Sequence, residues 1–149
     1  MITHHVKVCP SKVPLPKTGQ LAWKIAYVAS GNAPIDAAAS EMVINRIIDN
    51  ASVALAAINR EPVANARTQT LAHPRAKGAA IFGLSSAQRF DCEWAAWANG
   101  VAVRELDMHD TFLAADYSHP GDNIPPLLAV AQQCGRSGAQ LLHGHKCAM

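Results

Sequence analysis

The amino-acid sequence predicts a mainly α-helical fold. Half of the 149 residues are apolar and only 16% are charged, a composition that supplies a buried core and excludes a disordered chain. Residues 36–58 contain neither glycine nor proline, and their apolar residues recur every three or four positions, as on one face of a helix. One short strand or hairpin is predicted at the glycine-bounded stretch near residues 79–83.

The N-terminal third is predicted to form an extended arm followed by two helices. Residues 1–19 carry three prolines, which disfavour helix and strand alike. Residues 20–29 have the spacing of a short helix, and a longer helix is expected from the first-turn proline Pro34 to Ile58. The core-facing stripe expected on this long helix consists of Ile44, Ile47, Ile48, Ala51, Leu55 and Ile58.

Two more helices are predicted in the middle of the chain. Residues 62–72 form the first, which must end at His73 because a residue before proline avoids helical geometry. Asp91 is a candidate N-cap for the second, which extends to Leu106. The buried face expected on this helix carries Trp94, Trp97 and Val101.

The last quarter is predicted to begin with an irregular segment, because residues 108–124 are rich in aspartate, proline and glycine. A helix is then expected from Pro125-Pro126 to Ala131, with Gly135 ending it. Residues 137–140 have the capping-box pattern of a further helix start. Only about two helical turns would follow, too few for a stable isolated helix, so we expect the chain to be cut off within this element.

Charge and targeting signals exclude several functional classes. The net charge is +2 and the basic residues are scattered, which argues against binding to nucleic acid or a membrane surface. The first seven residues lack the apolar core of a signal peptide, so a cytoplasmic location with reduced thiols is expected. The four cysteines are far apart in the sequence: Cys9, Cys92, Cys134 and Cys147.

Polar residues concentrate between positions 105 and 122. Five of the eleven carboxylates lie there: Glu105, Asp107, Asp110, Asp116 and Asp122. A solvated acidic loop is one interpretation. The apolar residues Met108, Phe112, Leu113 and Ile124 in and beside the segment favour a loop of fixed shape, the kind of loop on which function concentrates.

No metal or cofactor site is predicted. His109, Asp110 and His119 offer suitable donor atoms, but their spacing matches no recognised set of metal ligands. The C-terminal pattern His143-x-His145-x-Cys147 is equally nonspecific. The chain also lacks a glycine-rich phosphate loop and a nucleophile elbow.

The segment from Asn99 to Pro125 resembles the 2-methylcitrate dehydratase (MmgE/PrpD) family, whose superfamily also includes cis-aconitate decarboxylase. The matching motifs are Asn99-Gly100, Glu105-Leu106-Asp107-Met108-His109-Asp110-Thr111 and Tyr117-Ser118-His119-Pro120-Gly121-Asp122-Asn123-Ile124-Pro125, with weaker support from Ile48-Asp49-Asn50. Family members pair a helical domain with an α/β lid. The resemblance runs from about residue 20 to about residue 142. We therefore expect a partial helical domain at 20–142, preceded by the extended arm at 1–19 and followed by a tail at 143–149 that departs from the family, without the lid.

The resemblance further implies which residues are catalytic: the family's aspartate, threonine and histidine match Asp107, Thr111 and His119. It implies a metal-independent hydro-lyase without cofactor, which eliminates water from the small tricarboxylate 2-methylcitrate in the methylcitrate cycle of propionate catabolism. The full-length form is expected to be a homodimer. Because the family's lysine and second histidine would lie beyond residue 149, we expect this chain alone to be inactive.

The residue chemistry agrees in part with this expectation. Water elimination needs a base for a carbon-bound proton and an acid for the leaving hydroxyl, roles that imidazole and carboxylate can fill, with Thr111 positioning the substrate. Three substrate carboxylates call for Lys or Arg partners, and only Arg104 is near the motif in sequence. The alternatives are a cis-aconitate decarboxylase or related isomerase and, outside enzymes, a truncated remnant or a helical interaction module.

Overall fold

The computed structural model describes residues 8–31, 36–113 and 117–148. Within these ranges the protein is mainly helical, as predicted, with very little sheet. The helices are α1 (Leu21–Ser30), α2 (Ala37–Ala56), α3 (Glu61–Thr70), α4 (Cys92–Arg104), α5 (Ile124–Gln133) and α6 (Gly138–Ala148). The strands are β1 (Pro74–Ala79), β2 (Phe112–Leu113) and β3 (Tyr117–Ser118). No described helix is both long enough and apolar enough to cross a lipid bilayer.

The chain divides into two units, Met1–Ala33 and Pro34–Met149. In the first unit, the arm is irregular from residue 8 except for a 3-10 turn at Lys17–Gly19, which the sequence did not predict. The turn forms because the amide of Gly19 donates to the carbonyl of Pro16 at 2.8 Å. Helix α1 lies one residue later than predicted, and none of its ten residues is buried.

Helix α2 turns a different face to the core from the one predicted. Its buried residues are Val43, Asn50, Val53 and Ala54, whereas Ile44, Ile48 and Leu55 of the predicted stripe are 47%, 58% and 50% exposed. The buried set is shifted by one residue, which corresponds to a rotation of about 100° around the helix axis. The small residues Ala54 and Ala57 pack with Ala102 and Val103 of α4 in one cluster, and small side chains allow this close approach. The predicted helix start at Pro34 lies outside the described residues.

Helix α4 begins where the sequence predicted, because the Asp91 carboxylate accepts a hydrogen bond from the amide of Glu93 at 3.2 Å. Its predicted buried face is wrong at Trp97, which is 43% exposed, while Trp94 and Val101 are only partly buried. The buried residues are instead the smaller ones, Ala95, Ala98, Asn99, Ala102 and Val103. Again, close helix packing selects small side chains over large apolar ones.

Amide side chains of α4 and α5 connect the segment after β1 to these helices. Asn99 of α4 accepts from the amide of Phe82 at 2.9 Å and donates to the carbonyl of Ala80 at 3.1 Å. Gln132 of α5 accepts from the amide of Ala80 at 2.8 Å. These bonds satisfy backbone groups that this irregular, partly buried segment would otherwise leave unpaired.

The strands lie elsewhere than predicted. Strand β1 ends where the predicted strand begins, and it forms bridges to Phe90 through Pro74 and Ala79.

The prediction that residues 108–124 lack regular structure is wrong, since β2 and β3 pair antiparallel and a 3-10 turn follows at Pro120–Asn123. The aromatic residues Phe112 and Tyr117 favour strand structure and support this pairing. Asp116 lies outside the described residues.

The two C-terminal helices begin at the predicted signals. Two prolines occupy the first turn of α5, and Gly135 after its end has a φ of +61°, which glycine adopts without strain. At the start of α6, the hydroxyl of Ser137 accepts from the amide of Gln140 at 3.3 Å. The side chain of Gln140 accepts in turn from the amide of Ser137 at 2.9 Å, which confirms the predicted capping box.

Candidate active site

A cavity of about 450 Å³ opens between α2, the β2–β3 hairpin and the 3-10 turn at Pro120–Asn123. It combines an apolar wall with several polar groups, as small-molecule sites commonly do. Its lining residues are Met42, Arg46, Asp110, Thr111, Phe112, Ser118, His119, Pro120 and Asn123.

Two of the three catalytic residues implied by the resemblance meet in this cavity. The Nδ1 atom of His119 lies 3.1 Å from the carbonyl oxygen of Asp110 and 3.3 Å from Oγ1 of Thr111. A carbonyl oxygen can only accept, so Nδ1 must carry a proton and donate. In the neutral ring the lone pair is therefore on Nε2, the atom that can take a proton from another molecule.

Asp107 is not among the lining residues of this cavity. Its backbone is left-handed, with a φ of +52°, a conformation that aspartate tolerates better than most residues. Its side chain is 90% exposed, and Oδ1 lies 3.9 Å from Nδ1 of His109. The three implied residues are thus divided between the cavity and the neighbouring surface.

Asp110 connects two of the elements that line the cavity, the 3-10 turn and α2, and this role was not predicted from the sequence. Its Oδ1 accepts from the amide of Gly121 at 2.9 Å, which connects the segment before β2 to the 3-10 turn. Its Oδ2 lies 3.5 Å from Nε of Arg46 on α2, and the Asp110 side chain is only 3% exposed. That oxygen has no hydrogen-bond partner among the described residues, so the pair is held by charge alone.

Arg46 is a second basic residue near the motif, in addition to Arg104, and it was not predicted from the sequence. It reaches the cavity from α2, far away in sequence, and its side chain is 43% exposed. The sequence signal that could have found Arg46 is helical spacing. Met42 and Arg46 are four residues apart, which places both side chains on the same face of α2.

Arg104 lies beside the cavity rather than in its lining. Its Nη1 contacts Nε2 of His109 and is 3.5 Å from Oδ1 of Asp122. The ring of His109 lies edge-to-face against that of His119, with centroids 4.5 Å apart. The acidic segment is thus tied to α2, α4 and the 3-10 turn by ion pairs and ring contacts, in keeping with a loop of fixed shape.

The described residues contain no cluster of three or more histidine, cysteine, aspartate or glutamate side chains that could hold a metal ion. Cys9, Cys92 and Cys134 are free thiols. The side chains of His145 and Cys147 lie outside the described part of the structure.

Curated relatives match a short stretch of the chain. A probable 2-methylcitrate dehydratase from Saccharomyces cerevisiae is 46% identical over 41 residues, which is 28% of this chain and 8% of the relative. The 2-methylcitrate dehydratases of Salmonella typhimurium and Escherichia coli are each 44% identical over 43 residues, 29% of this chain and 9% of theirs. The chain therefore aligns with less than a tenth of the length of these relatives. No solved structure matches it.

A family model covers far more of the chain. The model of the MmgE/PrpD N-terminal domain matches residues 19–149. This range includes residues 143–149, for which the sequence predicted a departure from the family. Because the match covers most of the chain, the protein belongs to the MmgE/PrpD N-terminal domain family.

Proposed function

We propose that the chain forms the helical N-terminal part of a hydro-lyase that dehydrates 2-methylcitrate to 2-methyl-cis-aconitate in propionate catabolism. The observation that carries the proposal is the contact of Thr111 with His119 in a cavity that Arg46 also lines. Family membership and the names of the curated relatives support this reaction class. The activity is proposed for a longer enzyme, since the chain aligns with only 8% to 9% of those relatives.

His119 is the proton-transfer group in this proposal. Its Nδ1–H is shared between the Asp110 carbonyl and the Thr111 hydroxyl, which fixes the tautomer and the direction of the ring. Nε2 can then take the carbon-bound proton of the substrate, and the protonated ring can give that proton to the leaving hydroxyl, which departs as water. The Thr111 hydroxyl holds the imidazole and can donate its own proton to a substrate oxygen.

Arg46 is the proposed partner of a substrate carboxylate. A guanidinium can bind a carboxylate with two parallel hydrogen bonds, and the loose 3.5 Å contact with Asp110 leaves its donors available. In the cavity lining, however, the charge of Arg46 is balanced by that of Asp110. A substrate with three carboxylates needs further cations, so we expect the 149-residue chain to bind 2-methylcitrate weakly and not to turn it over.

Binding to the chain itself tests the proposal. In a ¹H–¹⁵N titration with 2-methylcitrate, the largest shifts are expected at Arg46, Thr111 and His119. Arg46→Gln should weaken binding about tenfold, the cost of one charged hydrogen-bonded contact. Arg67→Gln on α3, outside the cavity lining, is the matched control and should change nothing. Equal binding by both variants, or shifts confined to other surfaces, would contradict the proposal.

Activity separates the alternatives in an enzyme that carries this chain as its N-terminal domain. Such an enzyme should convert 2-methylcitrate to a product with a conjugated double bond, detected by ultraviolet absorbance. Release of carbon dioxide from cis-aconitate would instead identify a decarboxylase, and isomerisation without loss of water or carbon dioxide an isomerase. Inertness towards both acids would favour a remnant or an interaction module.

A further inference from the structure

His109 lies between the two parts of the divided site. On one side, its ring contacts that of His119 edge-to-face, with centroids 4.5 Å apart at 65°. On the other side, its Nδ1 is 3.9 Å from Oδ1 of Asp107. The His109 side chain is only 1% exposed, whereas the Asp107 carboxylate faces solvent. The buried imidazole thus packs against His119 and has the Asp107 carboxylate 3.9 Å from its Nδ1.

Arg104 fixes the tautomer of His109. The guanidinium contacts Nε2, and because arginine can only donate, Nε2 must hold a lone pair. The proton of the neutral ring is therefore on Nδ1, on the side of Asp107.

This N–H needs an acceptor. Nδ1 of His109 is buried and has no hydrogen-bond partner among the described residues, an arrangement that folded proteins avoid. Asp107 is the carboxylate beside it, held there by a left-handed backbone. Its Oδ1 is 3.9 Å from this nitrogen, and a hydrogen bond across that gap would complete the order Asp107, His109, His119.

We propose that His109 is a positioning residue through which Asp107 acts on His119. In this arrangement, the Asp107 carboxylate accepts from Nδ1 of His109 and polarises the ring, and the polarised ring orients the imidazole of His119. The inference rests on the proposed function for its catalytic meaning, but the coupling itself is a property of the free chain. It explains how a residue outside the cavity lining can contribute to a site within it.

Other charged and titratable groups surround the two rings and must be considered in a test. Arg46 extends from α2, Arg104 from α4 and Asp122 from the 3-10 turn, while Asp110 precedes β2 and Tyr117 lies in β3. A change of charge at Asp107 could reach His119 through any of them or through solvent. The experiment must therefore isolate the path through His109.

A double-mutant cycle read by imidazole ¹⁵N chemical shifts isolates that path in the full 149-residue chain without substrate. Asp107→Asn is expected to shift the ring nitrogens of His119 when His109 is present. In the His109→Phe background, which keeps a ring but removes both nitrogens, the shift should be about fivefold smaller, since coupled residues depart from additivity. Glu93→Gln removes an equal charge roughly 16 Å along α4 from Arg104 and is the matched control.

Each outcome decides the inference. Equal shifts in both backgrounds would mean that Asp107 acts through solvent, and the absence of any shift would mean that it does not act on His119; either result overturns the proposal. If His109→Phe does not fold, the unmodified chain still provides the test. Its His109 should show a protonated Nδ1 and an unprotonated Nε2, and the opposite tautomer would overturn the proposal. None of these measurements depends on 2-methylcitrate, so they remain valid if the proposed function fails.

Discussion

The amide of Gly121 donates to Oδ1 of Asp110 at 2.9 Å, and a Cβ on Gly121 would lie only 2.5 Å from that same oxygen. It would also lie 2.6 Å from Nδ2 of the buried Asn50. The hydrogen bond that joins the segment before β2 to the 3-10 turn can therefore form only because residue 121 is glycine and has no Cβ. Glycine is required here for space, since its backbone is not in the left-handed region.

Gly121→Ala is consequently expected to destabilise the protein by about 1–3 kcal/mol, the usual cost of overpacking. It should also displace Asp110 from Arg46. Gly100→Ala is the control, because Gly100 lies within α4 and a Cβ there meets no atom within 4 Å. That variant should gain roughly 0.5–1 kcal/mol from reduced backbone entropy. Urea unfolding of both variants measures the difference, and equal midpoints would contradict the expectation.

Asn99 should be essential for stability rather than for chemistry. Its amide satisfies the backbone of Ala80 and Phe82 from a position that is 2% exposed. Asn99→Leu leaves the partly buried N–H of Phe82 and the carbonyl of Ala80 without these partners, and we expect a loss of about 1–3 kcal/mol. Asn45→Leu on the exposed side of α2 is the control and should stay within about 0.5 kcal/mol of the parent. Similar denaturant midpoints for the two variants would show that Asn99 is dispensable.

Asp91 should make the stability of the protein depend on acidity. Its hydrogen bond with Arg75 and that with the amide of Glu93 hold the pKa of the carboxyl below its usual value of 3.8. Since the pKa is lower in the folded state, the stabilisation is complete above the unfolded value of 3.8. It is lost as the pH falls through the folded value.

Asp91→Asn tests this dependence while keeping a good N-cap residue. The variant should melt at a lower temperature than the parent at pH 7, and the gap should close as the solution is acidified below about pH 3.8. Asp36→Asn is the control, since Asp36 occupies the N-cap of α2 without a side-chain capping bond. A constant gap from neutral to acid pH would mean that the Asp91 carboxylate does not supply the stabilisation.

The sequence predicted most helices because their start and end signals are local. Asp91 and Ser137 cap helices within a few residues of themselves, and Gly135 ends one by its own backbone geometry. The buried faces of α2 and α4 were predicted one residue off because the largest apolar residues were assumed to be buried. The close approach of the two helices favours alanines instead.

The site was predicted only where its residues are neighbours in sequence. Thr111 and His119 belong to one motif and meet across the hairpin. Arg46 was missed because its contact with Asp110 joins segments that the fold alone brings together. The motif predicted Asp107 in the same site as Thr111 and His119. In the structure its backbone is left-handed and its side chain faces solvent.

His119→Gln is expected to abolish most activity in an enzyme that carries this chain as its N-terminal domain. The carbonyl of Asp110 and the hydroxyl of Thr111 already orient the imidazole through Nδ1. Glutamine keeps a donor for these groups but has no basic nitrogen to accept the substrate proton. Loss of a general base typically lowers the rate by ~10²–10⁴, and kcat for 2-methylcitrate should fall by this amount while KM changes little.

Thr111→Val separates proton transfer from orientation. It removes one of the two acceptors that share Nδ1–H of His119 and leaves the imidazole and the Asp110 carbonyl in place. We therefore expect a smaller loss of kcat than in His119→Gln, about tenfold for one neutral hydrogen bond.

If His119→Gln folds normally and keeps kcat within about threefold of the parent, far below the range for a general base, His119 serves only to brace the turn before Pro120. Asp107 would then be the better candidate for the proton-transfer group.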